Sequence, residues 1–185
     1  MGQLLRDLFL RYLITVICLC VLVGVAHAKK PKLIYEDDEV YMRLIMRSDE
    51  QLSAFYQGRE FSQEAIREIL QTCYVTPIIK NKKFDVLMLD LTHWSFYVDG
   101  KPLPRIDRLY WATQWQAISM KQAHRSTFGW TLMPEQRDLR FDEGVGGAVV
   151  VQRQSKPMEL VARFVTTIGD KKSEKIIRFK GFKCE

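Results

Sequence analysis

The fold class follows from residues 74–100, which read YVTPIIKNKKFDVLMLDLTHWSFYVDG. Apolar, β-branched and aromatic residues dominate three short blocks, at residues 74–80, 84–90 and 93–98. Polar residues 81–83 separate the first two blocks, and Asp99 with Gly100 ends the third. An Asp-Gly pair after an extended block is typical of a two-residue β-hairpin turn. This segment therefore predicts successive antiparallel strands.

Extended blocks continue on both sides of this segment. Residues 39–46 alternate and predict a first strand, and four more blocks follow, at residues 126–133, 144–152, 159–166 and 175–183. Short strands at this spacing predict an antiparallel, immunoglobulin-like β-sandwich that forms a single domain over residues 40–185. Residues 105–118 are less regular and predict a helical turn or a long connection.

A helical hairpin is predicted at about residues 48–72. Ser48 and Gln51 have the spacing of a capping box, which marks the start of a helix. Apolar residues then recur at helical spacing, at Leu52, Phe55 and Tyr56. Ser62 is placed to cap a second helix that ends near Cys73.

The composition indicates a globular protein. The chain has 185 residues, a net charge of +6, 47% hydrophobic residues and 27% charged residues. These values exclude an intrinsically disordered or fibrous chain. Because the sequence has a single long apolar run, a polytopic membrane protein is excluded as well. Basic residues gather near the two ends, at 29–32 and 171–183.

The N-terminal segment has the three parts of a secretory signal peptide. Basic residues precede the apolar run 13–26, and Ala26 and Ala28 provide the small residues of a cleavage site. We therefore predict a signal peptide over residues 1–28, a flexible lead-in over 29–39 and a periplasmic mature protein. The alternative is an uncleaved anchor that holds the domain on the periplasmic side of the inner membrane, although the run is short for a span of about 20 residues. A cleaved signal peptide would contact the membrane only transiently, whereas an uncleaved anchor would hold the protein there permanently.

Two cysteines, Cys73 and Cys184, lie beyond the predicted signal peptide. In an oxidising compartment, an isolated pair is most simply explained by a disulfide. Such a bond would fix the C-terminal end of the chain to the end of the helical hairpin. The alternative is a reactive Cys73 paired with a histidine, which requires a reduced thiol and has no local motif in its favour.

Part of this pattern resembles known modules. Asn81 after an apolar strand, and the two blocks that lead to Asp99, resemble the early strands of immunoglobulin-like envelope modules. Residues 134–151 are similar to the later passage of such modules, in which an acidic turn and glycines precede an apolar strand. The stretch from 43 to 184 also resembles small, uncharacterised exported proteins of Gram-negative bacteria. The resemblance implies a fold but no activity.

Motifs for catalysis and metal binding are sparse. The chain contains neither a G-x-S-x-G nucleophile motif nor an H-E-x-x-H zinc motif. The letters of a catalytic triad occur at His124, Ser126 and Asp138, but a triad is recognised by geometry. Met120 and His124, four residues apart, offer a weak copper site. We therefore expect no enzymatic activity and no cofactor.

The most unusual segment is aromatic and lies at residues 107–115. If it is helical, Trp111 and Trp115 share one face, with Tyr110 beside them. These three residues have two interpretations. They form a partner-binding surface if their rings are exposed, or they cover the open edge of the sandwich if the rings are buried.

The functional hypothesis follows from the predicted location and the lack of catalytic motifs. Basic residues near the C-terminus either protect an edge strand or attract an anionic component of the envelope. No nucleic-acid recognition motif is present, and the predicted compartment argues against nucleic acid as a partner. We expect a non-enzymatic, exported envelope protein that acts as a binding, accessory or assembly module. The alternative is a periplasmic protein that binds a small ligand or copper.

Overall fold

A computed structural model describes residues 33–184 of the chain. The predicted signal peptide, the first part of the predicted lead-in and Glu185 lie outside these residues. The strands of the described part are β1 (Ile34–Glu36), β2 (Val40–Met46), β3 (Thr72–Asn81), β4 (Val86–Asp90), β5 (Ser95–Val98), β6 (Lys101–Leu103), β7 (Arg105–Ile106), β8 (Gln136–Arg140), β9 (Gly144–Gly146), β10 (Val149–Gln152), β11 (Met158–Ile168) and β12 (Lys171–Phe182). Its helices are α1 (Asp49–Gln57), α2 (Gln63–Leu70), α3 (Arg108–Ala117) and α4 (Gln122–Thr131), with a 3-10 turn at Leu91–His93.

The first antiparallel sheet is built around β3. Its order is β1–β2–β3–β10–β7, and β9 also pairs with β3. β3 is long enough to pair with β2 along one edge and with β10 and β9 along the other. Between β9 and β10, a Cβ atom on Gly147 would lie 2.5 Å from the backbone nitrogen of Met133. Glycine is therefore required where these two backbones meet.

The second antiparallel sheet is built around β11. β12 pairs with β11 along its whole length on one side. On the other side, residues 158–161 of β11 pair with β5, and residues 164–167 pair with β4. β6 and β8 extend the sheet beyond these two strands. Within residues 33–184, β12 is consequently an edge strand.

Two hydrophobic clusters divide the molecule into layers. The larger one lies between the two sheets and includes Val75, Leu87 and Phe164. The smaller one lies between the outer face of the first sheet and the helices, and it includes Tyr74 and Val150. Neighbouring residues of β3 thus face opposite layers, as the two-residue period of a strand requires. The protein is mainly β, with two antiparallel sheets and helices on the outer face of the first.

The first two helices begin where the sequence predicts. Ser48 and Gln51 form the expected capping box, and the side chain of Ser62 accepts the N–H of Ala65. Both helices bury apolar residues, although Phe55 lies at the margin of its helix face and is 39% exposed. Among the helices of residues 33–184, none is long and apolar enough to span a membrane.

One strand prediction is wrong. Residues 126–133 belong largely to α4 rather than to a strand. The alternation of Phe128, Trp130 and Leu132 with small or polar residues imitates a strand. Lys121, at the N-terminal cap of α4, makes no side-chain hydrogen bond that would mark the start of a helix.

Two other segments are more ordered than expected. Residues 105–118, predicted as a helical turn or a long connection, contain β7 and the whole of α3, a helix of ten residues. The predicted lead-in, residues 29–39, contains β1, which pairs with β2. The Asp37 carboxylate closes the turn between these strands by accepting the backbone N–H groups of Glu39 and Val40. This local hydrogen bonding defines a strand where the charged sequence suggested a flexible segment.

Cys73 and Cys184 form the predicted disulfide, with their Cα atoms 5.5 Å apart. Cys73 lies in β3 of the first sheet, and Cys184 follows β12 of the second sheet. The bond therefore joins the two sheets as well as fixing the C-terminal end of the chain. The sequence separation of the two cysteines is 111, and cross-links of this length stabilise by up to about 4–5 kcal/mol in the chain-entropy treatment.

Candidate functional site

The aromatic segment forms α3, and α4 packs beside it. The Asp107 side chain caps α3 by accepting the N–H of Tyr110 at 2.8 Å. After α3 the chain turns at Ser119, whose φ of 52° is left-handed, and continues into α4. Arg108 Nη1 donates to the Gly129 carbonyl at 3.2 Å, so the start of α3 lies against the end of α4. The two helices therefore run antiparallel.

Trp111, Trp115 and Phe128 form an aromatic cluster beneath these helices. The tryptophan rings stack with centroids 4.9 Å apart, and Phe128 lies 4.7 Å and 4.9 Å from them. Each tryptophan is only 2% exposed, because the cluster packs with Val150 of the first sheet. The structure thus places both rings in the core and corrects the interpretation in which they form an exposed surface. Tyr110 is 42% exposed, and partner binding by this segment stays a prediction.

The indole N–H groups of Trp111 and Trp115 are buried without a hydrogen-bond partner among residues 33–184. Leaving a buried donor unpaired costs about 1–3 kcal/mol. An unsatisfied donor of this kind points to strain or to an acceptor supplied by a water or an ion. The aromatic cluster therefore combines good ring packing with unsatisfied polar atoms.

A groove of about 300 Å³ runs between α3 and α4, over the aromatic cluster. Its rim carries Arg108, Gln122 and Arg125. Arg108 is fixed by its bond to Gly129, and Arg125 donates to the carbonyls of Met120 at 2.7 Å and Trp115 at 3.3 Å. Backbone carbonyls thus hold both guanidinium groups at the rim. No carboxylate of the described residues forms an ion pair with either of them.

The charge of this helix pair has one sign. Residues 108–131 contain Arg108, Lys121 and Arg125 but no aspartate or glutamate. A surface lined by charges of one sign raises the local concentration of oppositely charged groups. Together with the two rim arginines, this composition favours an anionic group as the occupant of the groove.

Large apolar side chains are exposed at one end of the helix pair. Trp130 is 86% exposed and Leu109 is 74% exposed. They follow Gly129 and Arg108 in sequence, and the hydrogen bond between those two residues places them at the same end of the helix pair. Exposed tryptophan is enriched among residues that dominate binding energy at interfaces. The sequence reasoning did not single out Trp130, because a strand at residues 126–133 would place it on the same face as the buried Phe128.

Met120 and His124, the weak copper alternative, line one recess of about 290 Å³ together with Glu60. Met120 is 8% exposed, and the His124 ring stacks on Phe61 with centroids 4.9 Å apart. His93 lies in the 3-10 turn next to the second sheet and is not part of this recess. In the described part of the chain, no three His, Cys, Asp or Glu side chains form a group suited to a metal ion.

The residues that could form a catalytic triad lie on different elements. His124 and Ser126 are on α4, which packs on the first sheet, whereas Asp138 is on β8 of the second sheet. The hydrogen bonds of the described residues include none between these side chains. The structure therefore gives no positive support to a hydrolase.

The basic residues of β12 are partly neutralised by ion pairs. Lys175 Nζ lies 2.6 Å from Asp37 Oδ2. Arg178 and Lys180 lie 3.8 Å and 3.5 Å from the same oxygen of Glu159. The explanation of these cations as protection for an edge strand agrees with the position of β12. An anionic partner would instead meet Arg108, Lys121 and Arg125 on α3 and α4, which form no ion pair within the described residues, although the Asp107 carboxylate that caps α3 adjoins Arg108 in sequence.

Comparison with known proteins gives little similarity. The chain matches no protein-family model and no curated protein. A proposed lipoprotein (ycdA) from Bacillus subtilis subsp. subtilis is 12% identical, with a TM-score of 0.44 over 80% of this chain and 38% of that chain. The yjhA protein from Bacillus subtilis is 9% identical, with a TM-score of 0.39 over 70% of this chain and 76% of that chain. The chain thus spans well under half the length of the first of these structures.

Proposed function

We propose that the protein is a non-enzymatic, exported binding module of the cell envelope, and that its α3–α4 groove holds an acidic segment of a partner protein. The observation that carries the proposal is the combination of Arg108 and Arg125 lining the groove with the exposed Trp130, which follows the Arg108-bonded Gly129 at the same end of the helix pair. An interface needs an anchor of large area and groups that select the partner. Here Trp130 provides the large apolar contact area, and Arg108 and Arg125 favour a partner with an acidic group.

The rim arginines favour a carboxylate. A guanidinium has five N–H donors, and the fork geometry matches a carboxylate. Arg108 and Arg125 each use two nitrogens to bind backbone carbonyls, so further donors stay available without moving the side chains. Residues 108–131 contain no acidic group, and the adjoining carboxylate of Asp107 is engaged in capping α3, so the charge along this helix pair favours an incoming carboxylate.

The exposed apolar residues fit a protein segment that carries a hydrophobic side chain next to its acidic group. Trp130, Leu109 and Tyr110 lie at the same end of the helix pair, at which an adjoining hydrophobic side chain of a peptide can pack. Contiguous exposed apolar surface on a small protein commonly marks an interaction site. The anionic group then enters the groove while its neighbour covers Trp130.

The proposed location is the periplasm, after removal of residues 1–28, with an uncleaved inner-membrane anchor as the alternative. The disulfide between Cys73 and Cys184 supports export, because such bonds persist in oxidising compartments. We also propose that the two sheets form an immunoglobulin-like sandwich and that α1 and α2 form its helical hairpin.

The test is photo-crosslinking from position 109, an exposed position next to Arg108 of the groove, in cells that export the protein. The crosslinked segment is mapped by mass spectrometry and synthesised in two forms, one native and one with each Asp and Glu changed to Asn and Gln. We expect the native peptide to bind at least about tenfold more tightly than the amide form. Equal binding of the two forms, or crosslinks to lipid or peptidoglycan alone, would contradict the proposal.

Matched variants separate the groove from the rest of the surface. Trp130→Ala and Arg108→Gln should each weaken binding of the mapped peptide. Phe141→Ala and Arg137→Gln change exposed residues of the same types on or next to β8 and should have no effect. A loss of binding in these controls would show that the contact lies on the second sheet.

A second candidate function is copper binding by Met120 and His124, and the observation in its favour is that both line one recess with Glu60. Purified protein loaded with copper and dialysed should then retain metal at a stoichiometric ratio. His124→Ala should abolish retention, whereas His93→Ala, outside the recess, should not. Metal content below stoichiometry after loading would eliminate this candidate.

A further inference from the structure

Each wall of the α3–α4 groove is one face of a helix. The lining residues recur at helical spacing, and they are Arg108, Trp111, Ala112 and Trp115 on α3 and Gln122, Arg125, Phe128, Gly129 and Leu132 on or directly after α4. Residues three and four positions apart form a continuous stripe along a helix. The groove therefore follows the direction of both helices along most of their length.

Two of the lining residues are small. Ala112 is exposed and lies between Arg108 and Trp115 on the α3 stripe. Among the described residues outside its own helix, a Cβ atom on Gly129 would meet a single atom within 4 Å, the Nη1 of Arg108 at 3.6 Å. The distance between packed helices is about 8–10 Å and depends on the side chains at the contact. Small residues at these two positions allow another helix to approach closely.

The two arginines lie at opposite ends of the groove. Arg108 begins α3 and donates to the Gly129 carbonyl near the end of α4. Arg125 donates to the carbonyls of Trp115, near the end of α3, and of Met120, just before α4. Trp115 follows Arg108 by seven positions, which is two turns of a helix. The two guanidinium groups are therefore separated by roughly 10 Å along the groove.

The walls of the groove favour a helix over an extended segment as the occupant. In the interior of α3 and α4, backbone groups bond within each helix, so an extended segment finds no strand edge to pair with. Its own backbone groups would lie unpaired over the aromatic cluster, which is unfavourable. A helix satisfies its backbone groups internally and packs a ridge of side chains into a groove between two helices.

The separation of the arginines selects a spacing on such a helix. Two residues seven positions apart on a helix lie about 10 Å apart along the axis and within about 20° of the same face. Two acidic residues at this spacing can therefore meet Arg108 and Arg125 at the same time. Residues five positions apart point about 140° away from each other, so only one of them can face the groove.

We infer that the α3–α4 groove binds an amphipathic helix of the partner protein that carries two acidic residues seven positions apart, one for Arg108 and one for Arg125. Small or apolar residues between them pack on Ala112 and Gly129, and the bound helix completes a layer of three helices. The inference rests on the proposed function and specifies the structure and the sequence pattern of the acidic segment.

The test uses three synthetic, alanine-rich helical peptides and the purified exported protein. The first peptide has two glutamates seven positions apart, the second has the same composition with the glutamates five positions apart, and the third has glutamine in place of both glutamates of the first. Binding is followed through the backbone amide signals of Ala112 and Gly129. We expect saturable binding of the first peptide at about 1 mM or below and at least tenfold weaker binding of the other two.

The three peptides separate a failure of this inference from a failure of the proposed function. If the two acidic peptides bind equally well and the glutamine peptide binds more weakly, the groove accepts acidic segments but the inference is wrong. If the glutamine peptide binds as tightly as the first peptide, the preference of the groove for acidic segments is wrong as well. Absence of binding by all three contradicts the inference, and crosslinking from position 109 then tests the proposed function by itself.

A matched pair of variants tests the position of the bound helix. Ala112→Leu places a longer side chain in the groove at an exposed position, so the protein should unfold at the same denaturant concentration as the wild type and bind the first peptide about tenfold more weakly. Ala123→Leu makes the same change at an exposed position of α4 outside the groove lining and should alter neither property. Arg125→Gln should remove the preference for the first peptide over the second. An Ala112→Leu protein that binds the first peptide as the wild type does contradicts the inference.

Discussion

Lys175 on β12 and Asp37 in the turn between β1 and β2 form an ion pair that joins the two sheets at their edges, with Nζ and Oδ2 2.6 Å apart. Glu39 accepts a second bond from the same ammonium group at 2.7 Å, and the Tyr35 hydroxyl donates to Asp37. Burial by itself would raise the pKa of Asp37, but hydrogen bonds from Lys175, Tyr35 and two backbone amides outweigh it and hold the pKa well below its ordinary value of 3.8. Burial also opposes the charge of Lys175, yet the two carboxylates raise its pKa.

We predict that this ion pair makes the stability of the protein depend on pH in the acidic range. The pKa of Asp37 is lower in the folded state, so its contribution is complete above the ordinary carboxyl pKa and is lost as the pH falls below about 4. The raised pKa of Lys175 keeps its contribution complete at all pH values below its ordinary pKa. Chemical denaturation between about pH 5 and pH 2 measures this effect. The free energy of unfolding of the wild type should fall more steeply with decreasing pH than that of Asp37→Asn. The two slopes should differ by at most about 1.4 kcal/mol per pH unit.

The control for this measurement is Asp138→Asn, which changes an exposed carboxylate on β8 of the second sheet. Its acid dependence should follow that of the wild type. If Asp37→Asn and the wild type lose stability with the same slope, the ion pair between the sheets does not contribute through Asp37.

We predict that the disulfide is a major source of stability. Replacing Cys73 and Cys184 by alanine should lower the free energy of unfolding by about 2–4 kcal/mol, because the bond closes a long loop and joins the sheets. Reduction of the wild-type protein should have a similar effect and should not change the double variant. Free thiols in protein isolated from the envelope would contradict both the bond and the proposed compartment.

Much of the fold could be predicted because its determinants are local. The capping box of Ser48 and Gln51 depends on residues three positions apart, and the structure contains it. The hairpin turn at Asp99 and Gly100 needs positive φ angles, which are 50° and 75°, and aspartate and glycine tolerate them. Short-range chemistry of this kind can be read from the sequence without knowledge of the tertiary structure.

The helix α4 could not be predicted because its local pattern is ambiguous. In a strand, Phe128 and Trp130 would share a face, whereas in a helix they lie about 200° apart. The outcome depends on packing of Phe128 against Trp111 and Trp115, which belong to another helix. Tertiary contacts therefore determine both the secondary structure of this segment and the exposure of Trp130.

The candidate site could be predicted only in part, because the exposure of its aromatic rings also depends on tertiary contacts. The spacing of Trp111 and Trp115 identifies a helix face. Whether this face is exposed depends on the first sheet, whose residue Val150 packs in the same cluster. The sequence therefore located the aromatic segment but could not identify which of its rings face solvent.

We predict opposite consequences for two tryptophan substitutions in this region. Trp111→Ala removes a large ring that is 2% exposed and should lower the free energy of unfolding by about 3–5 kcal/mol. Trp130→Ala removes a ring that is 86% exposed and should change stability by no more than about 0.5 kcal/mol. Chemical denaturation of both variants measures their free energies of unfolding. This comparison can be made without knowing the partner. A strongly destabilised Trp130→Ala protein would mean that this ring is covered in the native state.

Asn81 connects the two sheets through a fully buried side-chain amide. We predict that the substitution Asn81→Asp is strongly destabilising. Its Nδ2 donates to the carbonyls of Phe84 at 2.7 Å and of Leu139, on β8, at 3.0 Å, and its Oδ1 accepts the N–H of Phe84 at 2.9 Å. A carboxylate cannot donate to those carbonyls and would be buried without a cation. Asn81→Asp should therefore cost about 3–5 kcal/mol at neutral pH.

The pH dependence of this variant provides a sharper check. Burial beside two carbonyls raises the pKa of a carboxyl group, so the folded Asn81→Asp protein binds a proton more readily than the unfolded chain. Its stability relative to the wild type should consequently improve as the pH falls from about 7 to 4, opposite in direction to the effect of Asp37. Gln152→Glu, an amide-to-acid change at an exposed position at the end of β10, should alter stability by no more than about 0.5 kcal/mol. Denaturation of Asn81→Asp that costs no more than the Gln152→Glu control would show that the amide does not hold the two sheets together.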